Sequence, residues 1–156
     1  MITLGARASA FSLQNENEEI VCLSHFLGSW VVLYFYPKDD TPGCTTEARE
    51  FSHELKKFSE LNSVVLGCSP DEPQKHRAFI KKHKLRIGLL SDPKRTVMKK
   101  YGAWREKNLY GKKVIGVVRS TVLIDDKGIV VYHWRSVKSL GHAEKVQKTL
   151  KTLQMK

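Results

Sequence analysis

The sequence contains no apolar run long enough to cross a membrane. None of its segments approaches the ~20 consecutive apolar residues that a transmembrane helix needs, and residues 1–10 lack the apolar core of a signal peptide. Internal repeats, low-complexity segments and linker-like stretches are absent as well. The 156 residues, 41% of them hydrophobic, suit one globular domain that spans residues 1–156. We therefore expect a single cytoplasmic domain.

Cysteine is scarce, which limits the roles that the thiols can have. The three cysteines, Cys22, Cys44 and Cys68, are an odd number at wide spacing, unlike a disulfide framework. Cys-x-x-Cys pairs, which mark many zinc sites and thioredoxin-type redox sites, are missing. Catalytic or buried free thiols are the roles that remain.

The histidines give no sign of a metal site. They show no i, i+4 repeat and no motif that links them to Cys44, so we predict structural or surface roles for them. These residues are His25, His53, His76, His83, His133 and His142.

Acidic residues are few compared with basic ones. The chain has 16 Asp and Glu against 27 Lys and Arg, a formal net charge of +11. Such a balance attracts polyanions, so a basic nucleic-acid-binding protein is one hypothesis for the function. The basic residues are, however, spread along the chain without a zinc-finger, homeodomain or RNP pattern, which favours solvated helix and loop surfaces.

The apolar pattern predicts alternating strands and helices. Residues 31–36 and 64–68 are short continuous apolar runs, typical of strands buried on both faces. Between them, apolar or small side chains recur at helical spacing, at Ala48, Phe51, Leu55 and Phe58. A second helix is expected from the turn at residues 69–73 through about residue 84. This βαβα order predicts parallel neighbouring strands with the site beyond their carboxyl ends.

The second half of the chain predicts a mixed sheet. We expect a short helix from about residue 93 to 101, a strand at 119–124 and a hairpin partner at 129–134. The last helix is expected from residue 141 to about 153. The basic, glycine-punctuated stretch 104–115 is predicted to be a loop.

Cys44 stands where a buried strand gives way to a helix. Pro37 stops the first apolar run, and Thr41-Pro42-Gly43 lead into the helix that follows. The sulfur is therefore expected in the first helical turn, where the helix macrodipole and unpaired amide N–H groups favour the thiolate form. A small buried hydrophobe is the more common role of a free cysteine, but this position favours a nucleophile.

The segment around Cys44 resembles a known family. Phe-Tyr-Pro-Lys-Asp-Asp-Thr-Pro-Gly-Cys-Thr-Thr-Glu, residues 35–47, contains the pattern Pro-x-x-x-Thr-x-x-Cys of the peroxiredoxins and is similar to their bacterioferritin comigratory protein, or peroxiredoxin Q, branch. Flanking stretches at 5–13, 89–92 and 119–125 extend the likeness over nearly the whole chain. The resemblance implies an α/β thioredoxin-like fold, with a central mixed sheet flanked by helices and an extra N-terminal β-hairpin, and no metal or organic cofactor.

The resemblance also implies an activity and a set of site residues. The expected reaction is reduction of hydrogen peroxide and organic hydroperoxides, with Cys44 as the attacking thiolate and Pro37, Thr41 and Arg119 as the other catalytic residues. Pro37 would shield the thiolate, and the Thr41 hydroxyl would donate to the thiolate or to a peroxide oxygen. Arg119 would stabilise negative charge, while backbone N–H groups of Gly43 and Cys44 would bind the peroxide oxygens.

The thiol that would reduce Cys44 again after its reaction with peroxide is harder to find in the sequence. Many relatives carry a resolving cysteine five residues after the first, but Arg49 stands there, and residues 74–84 contain no cysteine. Cys68 is a possible but disfavoured resolving residue. We therefore expect a one-cysteine cycle with thioredoxin or a small thiol as reductant, in a protein that is monomeric or dimeric.

Overall fold

Nine strands and five α-helices make up the computed structural model, which describes residues 2–156. The strands are β1 Ser12–Asn15, β2 Ile20–Cys22, β3 Trp30–Phe35, β4 Ser63–Ser69, β5 Gly88–Ser91, β6 Trp104–Leu109, β7 Lys112–Val117, β8 Ser120–Ile124 and β9 Val130–Trp134. The helices are α1 Pro42–His53, α2 Leu55–Glu60, α3 Pro73–His83, α4 Thr96–Lys100 and α5 His142–Gln154. In this part of the chain no helix combines the length and the apolar character needed to cross a membrane.

Seven strands form one mixed sheet in the order β2-β1-β5-β4-β3-β8-β9. The central strand β3 pairs in parallel with β4 and antiparallel with β8, and β4 pairs in parallel with β5. The predicted N-terminal hairpin and the β8–β9 hairpin are both confirmed. The mixed sheet flanked by helices is the expected thioredoxin-like architecture.

The sheet separates two hydrophobic clusters, because alternate side chains of a strand point to opposite faces. On one face Val32 and Tyr34 pack with residues of α1, α2, α3 and α5. On the other face Leu33 and Phe35 pack with the N-terminal segment and α4. Both faces of β3 are therefore covered, as its uninterrupted apolar sequence predicts.

Two sequence predictions need correction, and one strand was missed. The stretch 104–115, predicted to be a loop, lies within the separate two-stranded sheet formed by β6 and β7. Strand β5 was not predicted, because its four residues are too few to show a period. The helix expected across Ala48 and Phe58 is interrupted at Glu54, where α1 ends and α2 begins.

Candidate active site

Cys44 is the third residue of α1, at the carboxyl end of β3. Thr41 is the N-cap residue with extended backbone angles, and Pro42 occupies the first turn, where its missing N–H costs no hydrogen bond. Gly43 follows without a side chain, and a Cβ atom there would lie 3.2 Å from the Nη2 atom of Arg119. The small residue before Cys44 thus lets the arginine come close to the helix start.

Arg119 joins the thiol to a carboxylate. Its Nη2 atom donates to the Cys44 sulfur at 3.1 Å, and its Nη1 atom donates to Oε1 of Glu47 at 2.7 Å. Arg119 directly precedes β8, the strand that is hydrogen-bonded to β3, so the sheet brings it to the start of α1. Glu47 lies one helical turn after Cys44 and is fully buried. Glu47 is therefore placed to orient Arg119 and is not a solvated carboxylate.

Burial and mutual contact shift the pKa values of Glu47 and Arg119 beside Cys44. Burial raises the pKa of Glu47 to about 7, even though Arg119 opposes the shift. For Arg119 burial acts against the charged form, but Glu47 and Cys44 outweigh it and raise the pKa above its ordinary value. The guanidinium is therefore charged at neutral pH and places a fixed positive charge beside the Cys44 sulfur.

Cys44 itself is closed off from solvent. Its exposed fraction is 1%, and it belongs to the cluster that contains Tyr34, Tyr36 and Ala48. A molecule much larger than water therefore cannot contact the sulfur unless the helix start or the preceding loop moves.

The other two predicted residues lie in the connection between β3 and α1. The Thr41 hydroxyl donates to the Lys38 carbonyl at 2.9 Å rather than to the thiol. Pro37 lines a cleft of about 530 Å³ together with Arg119. The cleft also includes Arg105 and Lys107 of β6, so its walls carry several positive charges.

The two remaining thiols are poorly placed to reach Cys44. Cys68 is fully buried on β4. Burial raises the pKa of its thiol well above the ordinary value, and the negative charge of the nearby Asp92 adds to this shift. Its side chain packs in the cluster of Leu33 and Phe35, on the sheet face opposite to Cys44. Cys22 ends β2, four strand spacings from β3, a distance on the order of 19 Å. All three cysteines are free.

The histidines divide between buried positions, at His76 and His142, and more accessible ones, with His25 and His53 exposed. Among residues 2–156 no group of His, Cys, Asp and Glu side chains could hold a metal ion. His142 is buried against Thr121, with 2.7 Å between its Nε2 atom and the threonine Oγ1 atom. Burial lowers the pKa of His142 to about 4, and the positive charges of Lys145 and Arg119 contribute to the shift. His76 is also fully buried and contacts Asp39, in the loop before Cys44. This contact was not predicted, although the three-residue step from His76 to Phe79 indicates a shared buried helix face.

Comparison with known proteins gives consistent matches over nearly the whole chain. A family profile described as the AhpC/TSA family matches residues 4–133. Peroxiredoxin Bcp of Bacillus subtilis is 41% identical over 155 residues, covering 99% of each chain. A putative peroxiredoxin bcp of Coxiella burnetii is 43% identical over 145 residues, covering 93% of this chain and 96% of the relative.

The solved structures that are similar to this chain include peroxiredoxins of the Bcp and PrxQ type. A mutant of PrxQ from Xylella fastidiosa superposes with a TM-score of 0.93 at 37% identity, covering 99% of this chain and 98% of that one. The bacterioferritin comigratory protein of Xanthomonas campestris, studied for its alkyl peroxide reduction activity, superposes with a TM-score of 0.86 at 39% identity. That match covers 91% of this chain and 90% of the other.

Proposed function

The chain belongs to the AhpC/TSA family, as a peroxiredoxin of the Bcp and PrxQ type, and from this premise we propose that Cys44 is its peroxidatic thiol. The protein is a thiol-dependent peroxidase. The observation that supports the role of Cys44 is its sulfur at the start of α1, 3.1 Å from the Nη2 atom of Arg119. The relatives give no support to the alternative of a nucleic-acid-binding protein without peroxidase activity.

The first half-reaction oxidises Cys44. The thiolate attacks one peroxide oxygen, a sulfur–oxygen bond forms as the oxygen–oxygen bond breaks, and the leaving oxygen takes a proton to give water or an alcohol. Cys44 becomes a sulfenic acid. Negative charge moves from sulfur to the leaving oxygen, so the guanidinium of Arg119 stabilises both the reactant and the transition state.

The surrounding residues position the peroxide. The N–H groups of Gly43 and Cys44 lie in the first turn of α1, where backbone donors have no partner within the helix. We assign them to the peroxide oxygens. The Thr41 hydroxyl would exchange its bond to the Lys38 carbonyl for one to the bound peroxide, and Pro37 would limit the access of water.

The second half-reaction uses an external thiol. Its sulfur attacks the Cys44 sulfenate, water leaves, and a second thiol splits the mixed disulfide to restore Cys44. The separation of Cys44 and Cys68 by the sheet supports this one-cysteine cycle, because a disulfide needs Cα atoms within about 7 Å and facing side chains. Thioredoxin or a small thiol in the cytoplasm is the proposed reductant of a monomer or dimer, acting on hydrogen peroxide and organic hydroperoxides.

A coupled assay with cysteine variants tests the proposal. The Cys44→Ser variant is expected to lose peroxide reduction with either thioredoxin or glutathione, because its oxygen stays protonated at neutral pH. The Cys68→Ser variant is the matched control and is expected to keep full turnover. After one equivalent of peroxide, dimedone should label Cys44 and peptide mapping should find no disulfide. Turnover by Cys44→Ser would contradict the assignment of the peroxidatic thiol, and a Cys44–Cys68 disulfide that forms as fast as turnover would contradict the one-cysteine cycle.

A further inference from the structure

A buried polar cluster ties the loop before Cys44 to α3 and the sheet. The active-site loop, residues 36–41, contains Asp39, whose side chain is 3% exposed. Oδ1 of Asp39 accepts a hydrogen bond from the Tyr36 hydroxyl at 2.5 Å, and Oδ2 lies 2.6 Å from Nδ1 of His76. His76 is fully buried, and its Nε2 atom lies 3.0 Å from the Leu90 carbonyl of β5. We call Tyr36, Asp39 and His76 the loop anchor.

The hydrogen-bonding partners determine how many protons the loop anchor holds. A carbonyl oxygen can only accept, so Nε2 of His76 carries a proton. The contact between Nδ1 and Oδ2 of Asp39 needs one more proton, shared between the two atoms. Every side-chain polar atom of His76 and Asp39 thus has a partner, which is the condition for stable burial of such a pair.

A second contact fixes the backbone of the same residue. The Asp39 N–H donates to Oδ2 of Asp71 at 2.7 Å, and the Ser69 hydroxyl donates to the same oxygen at 2.8 Å. Asp39 is therefore held on both its side chain and its main chain, five residues before a cysteine that is 1% exposed.

The neighbouring residue offers a natural comparison. Asp40 binds the end of the same helix, with oxygen–nitrogen distances of 2.8 Å to Lys82 and 2.7 Å to His83, but its side chain is 41% exposed. Exposed ion pairs contribute little to stability, whereas breaking a buried pair leaves an uncompensated polar group. Two adjacent carboxylates thus attach the loop to α3 with very different strength.

We propose that the loop anchor is a positioning device that holds the active-site loop closed over Cys44 and so sets the balance between the two half-reactions. The closed loop keeps Thr41 and the start of α1 in place for peroxide, while the external thiol reaches the sulfenate only when the loop opens. Loss of the loop anchor then slows oxidation by peroxide and speeds capture of the sulfenate. This inference rests on the proposed function, but opening of the loop is measurable without any turnover.

Hydrogen exchange measures the opening directly. In Asp39→Ala, amide exchange in peptides covering residues 37–45 should rise at least ten-fold, with exchange in α5 unchanged. Asp39→Asn should retain most of the protection, because its amide can accept from Tyr36 and donate to a neutral His76. Asp40→Asn is the matched control, since it removes the exposed attachment from the same loop, and should exchange like the original protein. His76→Gln provides a second variant that breaks the buried pair from the other side, and it should show the same local rise.

Single-turnover kinetics supply the second readout. In Asp39→Ala, the rate of oxidation by hydrogen peroxide should fall at least ten-fold, and the rate at which dimedone captures the sulfenate should rise by a similar factor. Asp40→Asn should change neither rate. Exchange that rises uniformly across the core, or rates of both half-reactions that fall in the same proportion, would overturn the proposal. If Cys44 proves not to be oxidised at all, the proposed function fails, whereas unchanged exchange at residues 37–45 in Asp39→Ala and His76→Gln refutes the loop anchor alone.

Discussion

The guanidinium of Arg119 lies where charge is redistributed when the oxygen–oxygen bond breaks. Arg119→Ala removes a fixed positive charge 3.1 Å from the Cys44 sulfur. A loss of about 2.7 to 4 kcal/mol of transition-state stabilisation, on the order of a 100- to 1,000-fold lower rate, is expected from the removal of one such group. Stopped-flow oxidation by hydrogen peroxide measures it. Arg119→Lys keeps the charge but cannot bind Cys44 and Glu47 together. Its rate of oxidation should therefore lie between those of the original protein and Arg119→Ala. An unchanged second-order rate for Arg119→Ala would remove Arg119 from the site.

Glu47 makes the stability of the protein depend on pH. Its pKa is about 7 in the fold against 4.5 ordinarily, so between these values the folded state binds more protons than the unfolded chain. The free energy of unfolding should therefore decrease as pH rises from 4.5 to 7, by up to ~3 kcal/mol from this group. In Glu47→Gln that contribution should be absent.

Urea unfolding at several pH values checks the role of Glu47. The free energy of unfolding of Glu47→Gln, relative to that of the original protein, should increase with pH up to about 7 and then level off. Glu144→Gln serves as the control, because Glu144 is an exposed helix residue paired with Lys148. Parallel stability curves for the original protein and Glu47→Gln would contradict the raised pKa of Glu47.

At the scale of elements, Gly67 explains how β3 and β4 pack beneath the site. The register pairs Gly67 with Tyr34, and a Cβ atom on Gly67 would lie 2.8 Å from both the Tyr34 ring and a Leu89 methyl group. Gly67→Ala is expected to lower the free energy of unfolding by about 1 to 3 kcal/mol through overpacking, as measured by urea unfolding. Gly88→Ala on β5 is the matched control, because its Cβ atom would meet nothing closer than 3.4 Å. Equal stability of the two variants would contradict this account.

Some of the strands could be predicted from the sequence and others could not. Strands β3 and β4 were predicted because strands buried on both faces need long runs of apolar side chains. The hairpin of β6 and β7 was missed because it is held by its own hydrogen-bond ladder and leaves most of its charged side chains exposed, so the hydrophobic pattern carries no signal. In the site, Cys44 was predicted from its position between a strand and a helix as well as from the resemblance, and Arg119 from the resemblance alone. The contact between Asp39 and His76 did not, because it joins residues 37 positions apart and depends on the tertiary structure.

At the scale of the whole molecule, the net charge of +11 has a local consequence. The cleft beside Pro37 and Arg119 also contains Arg105 and Lys107, with Glu106 as its one acidic residue. Burial lowers the pKa of the nearby His133, and the charges of Arg135 and Arg105 add to this shift, which places both cations on this side of the protein. We expect this group of cations to attract an anionic reductant to the cleft.

A comparison of thiols tests this attraction. Reduction of the Cys44 sulfenate by glutathione, a net anion, should slow as salt rises, because mobile ions screen the field, whereas reduction by the neutral 2-mercaptoethanol should change little. Arg135→Gln removes one exposed cation beside the cleft and should lower the glutathione rate about two-fold at low salt, the size expected for one charge at about 10 Å in water. Lys151→Gln, near the far end of α5, is the control and should leave the rate unchanged. Equal salt dependence for both thiols would mean that the positive cleft does not select the reductant, and the net charge would then need another explanation.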